Sequence, residues 1–426
     1  MDVQNKKKII NDPVYGFINI PNEELFDIVQ SSFVQRLRRI KQLGLSNLVY
    51  PGAEHSRFSH SLGAMHLMVQ ALEVLRQKGV EITESEYNGA LIAILLHDVG
   101  HSPFSHCLEH FFFDCSHEDL SYLFMQKLAV SETARQIFAG TYPKQFLHQL
   151  VSSQVDTDRL DYLTRDSFFT GVSEGVIGTE RILKMFNVSG GELMVDEKGV
   201  YSIEKFIISR RLMYWQVYMH KTVVAADNLM KNILMRARDL QTEGRLHTEL
   251  YPVSSHLAYF LSNGMRTKQD AQAVKHFVLL DDSDIWSSIK TWTLHPDKIL
   301  SFLSQSLVNR RLGKIIIQNE PFSQEQMRRR CRYESPEEHR YFTATDQLHN
   351  KAYNFLDTGI NILYKDGCVR EICEASDQLD RGFLSKEIKK YFFYLLFIRK
   401  ILITVILTIV IIIPYTDDWS LLIKII

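Results

Sequence analysis

The stretch "LIAILLHDVGHSPFSHCLEHFF" (Leu91–Phe112) decides the fold, because it predicts a buried helix that ends on two polar side chains. The apolar residues before His97 and Asp98 recur at helical spacing, and a glycine and a proline follow within a few residues. Histidine and aspartate are costly to bury. They therefore need partners, either in a hydrogen-bonded core or around a metal ion.

Further helices are predicted on both sides of this stretch. Thr83 and Glu86 form a capping-box pattern at the start of the helix that leads to His97. The segment "RFSHSLGAMHLMVQALEVLRQKG" predicts an amphipathic helix that ends at Gly79, and Ser116 is the predicted N-cap of a third helix. A long helical stretch is predicted over residues 208–240.

Strands are predicted in fewer places. Two short alternating runs around Glu197-Lys198-Gly199 in "ELMVDEKGVYSI" predict a hairpin, and "GKIIIQ" and "GINILYK" predict strands after about Leu307. We therefore predict a mainly α fold in three parts. These are a helical domain over residues 1–300 with a metal site within 55–170, a smaller α+β portion over 301–394, and an apolar tail over 395–426.

Composition limits the class of protein. The chain has 426 residues, is 45% hydrophobic and 23% charged, and carries a formal net charge of −1. This composition is typical of a globular protein with a sizeable core, and it disfavours a nucleic-acid partner because no global positive charge is present. Five cysteines without a C-x-x-C pair favour a reducing compartment. With no signal-peptide pattern at the N-terminus, we predict a cytoplasmic location.

The tail leaves two interpretations open. Its uninterrupted apolar run, residues 401–413, is shorter than the roughly 20 residues of a membrane helix. Extending the run backwards crosses Arg399 and Lys400, which are expensive near a bilayer centre. The tail is either a membrane or interface anchor, or an atypical end of the chain such as a shifted reading frame; we favour the second.

A metal site needs more ligands than the His97-Asp98 pair. Histidine nitrogen and carboxylate oxygen are natural ligands of a catalytic divalent metal. His60 lies near the start of the preceding predicted helix, and Asp158 lies in the acidic segment "QVDTDRLDYLTRDS". Taken singly, each residue is more often a packed histidine or part of a solvated face, so only the combination indicates a metal site.

The order H…HD…D is the signature of the HD phosphohydrolase superfamily, which the chain resembles. The blocks "FVQRLRRIKQLGLSNLVYPGAEHSRFSHSLG", "LLHDVGHSPFSH", "SHED" and "DTDRLDYLTRDSFFTGV" resemble consecutive blocks of its deoxynucleoside-triphosphate triphosphohydrolase branch. The resemblance implies an all-helical catalytic core and one divalent metal ion, Mn, Fe, Zn or Mg. It also implies these metal ligands: His60, His97, Asp98 and Asp158.

An acid is needed for the leaving oxygen of a phosphate ester. His117 is the candidate, because it lies in the first turn of a predicted helix and because Glu118 or Glu109 could keep it protonated. The family uses the histidine of its "HE" block in this way, which aligns with His117 and Glu118. His101 and His106 match family positions in the same pocket.

The polyphosphate of a nucleotide must be gripped by local positive charge. Arg57 precedes the His60 block directly, and Arg210 and Lys221 lie 11 residues apart, which places them on one face of a continuous helix. Tyr214 and Tyr218 fall on the same face. The family places similar residues there to bind substrate, although Tyr214 stands where the family often has histidine. Without the metal motif, the same stripe would indicate a solvated helix.

The sugar site is implied by the resemblance alone. Tyr162 and Asp166 match the family's sugar-reading pair, with Asp166 accepting a hydrogen bond from the 3′-hydroxyl and Tyr162 packed against the carbon that lacks an oxygen. Gln42 and Leu43 resemble the segment that completes this site.

The leading hypothesis is a metal-dependent hydrolase that splits a dNTP of the dGTP type into deoxynucleoside and tripolyphosphate. Nucleoside monophosphates, cyclic nucleotides and guanosine alarmones are alternative substrates, since one fold hosts many functions. A non-catalytic nucleic-acid-binding or regulatory HD protein is a second alternative, and a membrane-tethered one depends wholly on the tail. The resemblance implies a homo-oligomer.

Overall fold

The computed structural model describes residues 8–331, 335–351, 353, 359–385 and 387–396. In these residues the chain is mainly helical, and the small sheets include two in the C-terminal part, which confirms the predicted fold class. The α-helices are α1 (Glu23–Gln30), α2 (Ser32–Arg36), α3 (Arg57–Gln77), α4 (Glu84–Leu96), α5 (Glu109–Phe112), α6 (His117–Lys127), α7 (Glu132–Phe138), α8 (Gln145–Val151), α9 (Thr157–Thr170), α10 (Thr179–Met185), α11 (Val200–Met213), α12 (Lys221–Thr242), α13 (Ser255–Asn263), α14 (Ala271–Val278), α15 (Asp282–Trp292), α16 (Lys298–Val308), α17 (Gln324–Arg330), α18 (Pro336–Phe342), α19 (Ile372–Ala375) and α20 (Arg381–Ser385). The strands are β1 (Lys8–Asp12), β2 (Gly16–Ile20), β3 (Phe186–Ser189), β4 (Glu192–Asp196), β5 (Lys314–Gln318), β6 (Thr343–Lys351), β7 (Asn361–Leu363), β8 (Val369–Glu371) and β9 (Glu387–Leu395).

Helices α3, α4 and α9 form the centre of the helical body, where α3 packs against both of the others. Helix α4 begins with the predicted capping box of Thr83 and Glu86, and every residue from Gly89 to Leu96 is buried. A helix that is apolar on all sides belongs in the interior. His97 is its C-cap, so the polar pair follows immediately where the buried helix ends.

The predicted hairpin around Glu197-Lys198-Gly199 is wrong. Strand β4 pairs with β3, through the left-handed glycines 190 and 191, and the chain after β4 makes a short 3-10 turn into α11. Buried residues of α11 include Val200, Ile203 and Phe206, whose spacing is helical. The short run "VYSI" alternates by chance, and the residues that follow it continue the helical spacing.

The predicted helical stretch over 208–240 is interrupted. Helix α11 passes into a π-helical turn, Tyr214–Tyr218, and α12 starts afresh at Lys221. The His220 side chain accepts a hydrogen bond from the backbone N–H of Thr222 at 3.2 Å and so caps α12. The expectation that Arg210 and Lys221 share one helical face is therefore wrong.

The C-terminal strands join the helical body. The predicted strands in "GKIIIQ" and "GINILYK" are confirmed as β5 and β7. Strand β7 pairs in parallel with β4, while β5, β9 and β6 form a separate three-stranded sheet in that order. The predicted boundary at residue 300 falls inside α16, which packs against α12. The division into domains stays a prediction.

The apolar tail is outside this description, because residues 397–426 lie outside the described residues. Among the helices of the described residues, none combines the length and the apolar character that crossing a bilayer requires.

Gly100→Ala is predicted to destabilise the fold. A β-carbon at Gly100 would lie 2.1 Å from the backbone oxygen of His117 and 2.6 Å from the backbone nitrogen of Ser121, so α6 would have to move. We expect a loss of about 1–3 kcal/mol in the free energy of unfolding, measured by denaturant titration. The control is Gly178→Ala, since its β-carbon would meet nothing closer than 3.9 Å. Equal stability of the two variants would contradict the packing argument.

Candidate functional site

Three predicted metal ligands, His60, His97 and Asp158, each have one ligand atom within 4.8 Å of those of the other two, and Asp98 lies beside them. His60 Nε2 lies 3.3 Å from His97 Nε2 and 3.1 Å from Asp158 Oδ1. Asp98 contributes Oδ2 at 3.5 Å from His60 Nε2 and Oδ1 at 3.4 Å from His97 Nε2. Atoms bound at about 2.1 Å to one ion lie roughly 3–3.5 Å apart. His60, His97 and Asp158 therefore fit a divalent metal ion, and Asp98 is the adjacent carboxylate that could complete the set.

The second nitrogen of each histidine is already engaged. His60 Nδ1 lies 2.7 Å from Asp161 Oδ2, and His97 Nδ1 lies 2.6 Å from the carbonyl oxygen of Ile94. Metal-binding histidines commonly donate this second N–H to a carboxylate or a backbone carbonyl. Both Nε2 atoms are thereby directed at the shared point, where a metal ion would bind.

A buried ion pair between Asp161 and Arg165 contacts the Nδ1 side of the His60 ring. Arg165 donates from Nε to Asp161 Oδ2 and from Nη2 to Asp161 Oδ1, each at 2.9 Å, and from Nη1 to Asp12 at 2.7 Å. A β-carbon on Gly63 would lie 2.0 Å from Asp161 Oδ1 and 2.2 Å from Arg165 Nη2. Glycine in the middle of α3 therefore makes room for this pair.

The carboxylates of the site are ionised. Burial raises the pKa of Asp158, but hydrogen bonds from His60 and His97 outweigh it and hold that pKa well below its usual value. Burial also raises the pKa of Asp98, but the charges of Arg57 and His97 outweigh this effect and hold that pKa well below its usual value. The Arg57 guanidinium also donates to Asp98 directly. The site offers two nitrogen and two anionic oxygen ligands.

His117 is paired with Glu109 rather than with Glu118. His117 Nδ1 lies 2.5 Å from Glu109 Oε1, whereas Glu118 lies 3.4 Å from Nε2 and its side chain is 60% exposed. Burial raises the pKa of Glu109, but hydrogen bonds from His106 and His117 outweigh it and hold that pKa well below its usual value. Glu109 is therefore the anion that orients the His117 ring.

His101 and His106 lie beside His117 in contrasting environments. The ring centroid of His101 is 3.8 Å from that of His117 and 4.9 Å from that of His106. Burial and the charge of Arg57 hold the pKa of His101 well below its usual value, so this ring is neutral. His106 is largely exposed, and its Nδ1 lies 2.9 Å from Glu109. Each of the three rings has a nitrogen that lies within 4.8 Å of a nitrogen of the other two.

A cavity of about 530 Å³ opens next to the four ligands. A second cavity, of about 510 Å³, borders the same point from the side of α6 and α8. The first cavity contains most of the predicted site residues: Gln42, Leu43, Arg57, Asp98, His101, His106, His117, Glu118, Asp158, Tyr162, Asp166, Tyr214 and Tyr218.

Two predicted substrate contacts do not line this cavity. Arg210 is buried and donates to the backbone and side-chain oxygens of Gln154 at 3.1 and 3.3 Å. Lys221 is exposed in the first turn of α12. In their place Arg159 lines the cavity, held by Asp156 at 3.1 Å. The sequence pattern hides Arg159, because a cation next to Asp158 is expected on a solvated helix face.

Asp166 is fixed from two sides. His55 Nε2 lies 2.8 Å from its Oδ1, and the Tyr218 hydroxyl donates to its Oδ2 at 2.7 Å. The His55 ring stacks on Phe169, with 4.6 Å between centroids. In the same cavity the side-chain oxygen of Gln42 is buried and has no hydrogen-bond partner among the described residues. His55 is a positioning residue that the sequence pattern does not reveal.

The loop that carries His101 and His106 is conformationally strained. Phe104 and Ser105 both have left-handed backbone conformations, with φ of 55° and 57°. Such conformations cost about 1–2 kcal/mol per non-glycine residue. Asp282 accepts the backbone N–H groups of Phe104 at 2.7 Å and Lys41 at 3.0 Å, and Arg57 donates to Ser105 Oγ at 2.8 Å. These contacts compensate the strain.

Comparison with known proteins agrees with this architecture. The model of the HD domain matches residues 57–166, and that of the HD associated region matches residues 177–250. The crystal structure of a phosphohydrolase from Bacteroides thetaiotaomicron VPI-5482 superposes with a TM-score of 0.85 at 46% sequence identity, covering 92% of this chain and 100% of that one.

Two relatives extend the comparison. The uncharacterised protein YwfO of Bacillus subtilis (strain 168) is 33% identical over 87% of this chain and 88% of its own length. The deoxynucleoside triphosphate triphosphohydrolase SAMHD1 homolog of Dictyostelium discoideum is 31% identical over 51% of this chain and 47% of its own length. The second match thus spans about half of either protein.

Asp161→Asn is predicted to weaken metal binding about 10- to 100-fold, because it removes the carboxylate that orients the His60 ring. Titration calorimetry with Mn²⁺ measures this, and thermal unfolding without metal checks the fold. The control is Asp196→Asn, which makes the same charge change at a half-exposed carboxylate bonded to Lys78 at 2.8 Å. Unchanged Mn²⁺ affinity in Asp161→Asn would contradict the assigned support.

Metal binding is predicted to strengthen as pH rises. Burial lowers the pKa of His60, but hydrogen bonds to Asp158 and Asp161 outweigh it and raise that pKa to about 10. Below that pH the ring carries a proton that a cation must displace. Mn²⁺ affinity should therefore rise about tenfold per pH unit for each proton released. Calorimetry between pH 7 and 9 in two buffers counts the protons, and a flat pH profile would contradict the prediction.

Proposed function

Since the chain belongs to the HD-domain family of phosphohydrolases, we propose that it hydrolyses deoxynucleoside triphosphates to deoxynucleosides and tripolyphosphate. One observation carries the proposal: two of the four ligand-type side chains, Asp98 and Asp158, line a cavity that is also lined by two arginines and the Tyr162–Asp166 pair. A nucleotide offers matching chemistry, with anionic phosphates and a sugar hydroxyl. Resemblance to the Dictyostelium triphosphohydrolase supports the choice of substrate.

The proposed metal ligands are His60, His97, Asp98 and Asp158. Two nitrogens and two carboxylate oxygens suit Mn, Fe or Zn, and also Mg with added waters. A divalent ion there would supply Lewis acidity, which polarises phosphoryl oxygens and activates water. Arg57 bonds to Asp98 from the cavity side and keeps that carboxylate in place.

His117 is the proposed general acid. In the reaction, the oxygen of water bonds to the α-phosphorus, the bond from phosphorus to the 5′ oxygen breaks, and the 5′ oxygen takes up a proton. Ionised Glu109 holds Nδ1 of His117, so Nε2 is the atom that donates this proton. Glu118, which the sequence pattern places next to this acid, contacts the same Nε2 from the exposed side.

The proposed polyphosphate site lies between Arg57, Arg159 and the histidine cluster. Both arginines line the cavity, and Asp158 next to Arg159 faces the metal site. Neutral His101 can donate a hydrogen bond to a phosphate oxygen, as can His106. Arginine matches phosphate geometry well because it presents a planar fork of donors.

The sugar is proposed to lie against Tyr162 and Asp166. Asp166 uses one lone pair of each oxygen for His55 and Tyr218, which leaves capacity for a 3′-hydroxyl. The unpartnered side-chain oxygen of Gln42 is a second acceptor in the same cavity. Tyr162 stacks edge-on against Tyr218, with 6.1 Å between centroids, so its ring has a fixed position from which to exclude a 2′-hydroxyl.

Several properties of the molecule stay predictions. They are the identity of the metal ion, the assembly into a homo-oligomer, the cytoplasmic location and the lack of a nucleic-acid partner. Arg210 and Lys221 stay predicted substrate contacts on the resemblance alone, since neither lines the cavity.

The test separates the products of each dNTP and rNTP after incubation with the full-length chain and Mn²⁺. We expect deoxynucleoside and tripolyphosphate from dNTPs, little turnover of rNTPs, loss of activity in His97→Ala, and a decrease of about 10²–10⁴-fold in His117→Gln. The control is His256→Ala, which alters a histidine on α13 that pairs with His276 outside the cavity. Hydrolysis of monophosphates or cyclic nucleotides with intact dNTPs would overturn the proposal.

A further inference from the structure

A carboxylate lines the nucleotide cavity in a part that the proposed mechanism does not use. Asp227 lies on α12, and its wall neighbour is Cys107, whose thiol is 3.7 Å from the Asp227 carbonyl oxygen. The donor beside the Asp227 carboxylate is the Cys107 thiol, and the positive charge of Lys231 also acts on this carboxylate. A thiol is only a weak donor, so this carboxylate, which is withdrawn from water, is suited to a ligand that supplies stronger N–H donors.

The surroundings of Asp227 differ from those of the metal ligands. This part of the wall is formed by small or apolar residues, and a β-carbon on Gly44 would lie only 3.0 Å from the backbone oxygen of Phe104, so the two segments are in close contact. Its members are Gly44, Ser46, Phe104, Cys107, Val223 and Asp227. None of these is a proposed metal or phosphate ligand. We call this part the distal wall.

Charge decides which end of a nucleotide faces the distal wall. The cavity cations, Arg57 and Arg159, belong to α3 and α9, which carry His60 and Asp158. Ionised Asp98 and Asp158 lie at the same end, but a divalent cation held there would offset their charge. A triphosphate would be attracted to that cation and the arginines, and it is repelled by the carboxylate of Asp227. The uncharged end of the nucleotide, its base, therefore meets the distal wall.

We propose that the distal wall is a nucleobase site and that Asp227 selects guanine. This inference rests on the proposed function and names its substrate. Guanine presents the N1–H and the exocyclic amino group side by side, and the two oxygens of one carboxylate accept both. Adenine and cytosine place an acceptor nitrogen beside their amino group, and thymine places carbonyl oxygens on both sides of its N–H. Each of these acceptors opposes the Asp227 carboxylate.

The state of Asp227 is compatible with this role. Burial raises its pKa to about 6, against the charge of Lys231. The group is therefore mainly ionised near neutral pH and able to accept two hydrogen bonds.

The experiment compares kcat/KM for the four dNTPs and for dITP, with the full-length chain, Asp227→Asn, and Asp196→Asn as the control of equal charge change. We expect dGTP to be preferred, and Asp227→Asn to lower its kcat/KM about 100-fold while dTTP changes less than about threefold. Deoxyinosine triphosphate lacks the exocyclic amino group, so we expect about a tenfold loss with the unaltered chain. That comparison needs no variant to fold.

Equal use of all bases by the unaltered chain, or an equal loss for all four in Asp227→Asn, would overturn the inference and leave the proposed function intact. Calorimetric binding of dGTP and dTTP to the same proteins separates the remaining cases. If no dNTP is hydrolysed but dGTP binds selectively and Asp227→Asn removes that selectivity, the proposed function fails and the base site stands. Absence of both hydrolysis and selective binding overturns both.

Discussion

The structure depends on the buried pairing of His60, Asp161 and Arg165. An isolated charge in the interior would be very costly, and it is tolerated only with partners in good geometry. Here the chain of contacts runs from His60 through Asp161 and Arg165 to Asp12 on the N-terminal hairpin. It crosses α3 where Gly63 has no side chain. The first strand, α3 and α9 are thus fixed relative to one another by the network that orients a proposed metal ligand.

A second constraint acts on the loop between His101 and the start of α5. Two successive left-handed residues would not persist without external support. Support comes from distant parts of the chain: Asp282 binds the loop's backbone, and Arg36 donates to the carbonyl oxygens of His101 at 2.8 Å and Leu280 at 2.7 Å. The start of α15 and the end of α2 therefore shape the cavity wall without entering it.

The sequence predicts well whatever is local or repeated. The boundaries of α3, α4 and α6 follow from caps at Thr83 and Ser116 and from apolar spacing, because these signals act within one turn. The break between α11 and α12 is less visible, since a π-helical turn contains no proline or glycine to mark it. The sequence pattern misplaces the hairpin because the four residues "VYSI" fit both the period of a strand and the period of a helix.

In the site, too, contacts between residues far apart in sequence are the ones that the sequence does not predict. His60, His97, Asp98 and Asp158 come from three segments, and order along the chain was enough to group them once a family pattern was known. Partners such as His55 for Asp166 carry no such pattern, because their pairing is set by packing between elements far apart in sequence. Glu109 and Glu118 are both near His117 along the chain, and only the turn at α5 brings the first to Nδ1.

Charge is also distributed unevenly along the cavity, although the net charge of the whole chain is only −1. Arg57 and Arg159 lie beside the proposed metal ligands, where a divalent cation would add positive charge, while Asp227 lines the cavity from α12. At an effective dielectric constant of about 20, unit charges 4 Å apart interact by about 4 kcal/mol, so a single misplaced phosphate would be strongly disfavoured. Local charges therefore suffice to impose one orientation on a polyanionic ligand, and global charge is not needed to attract it.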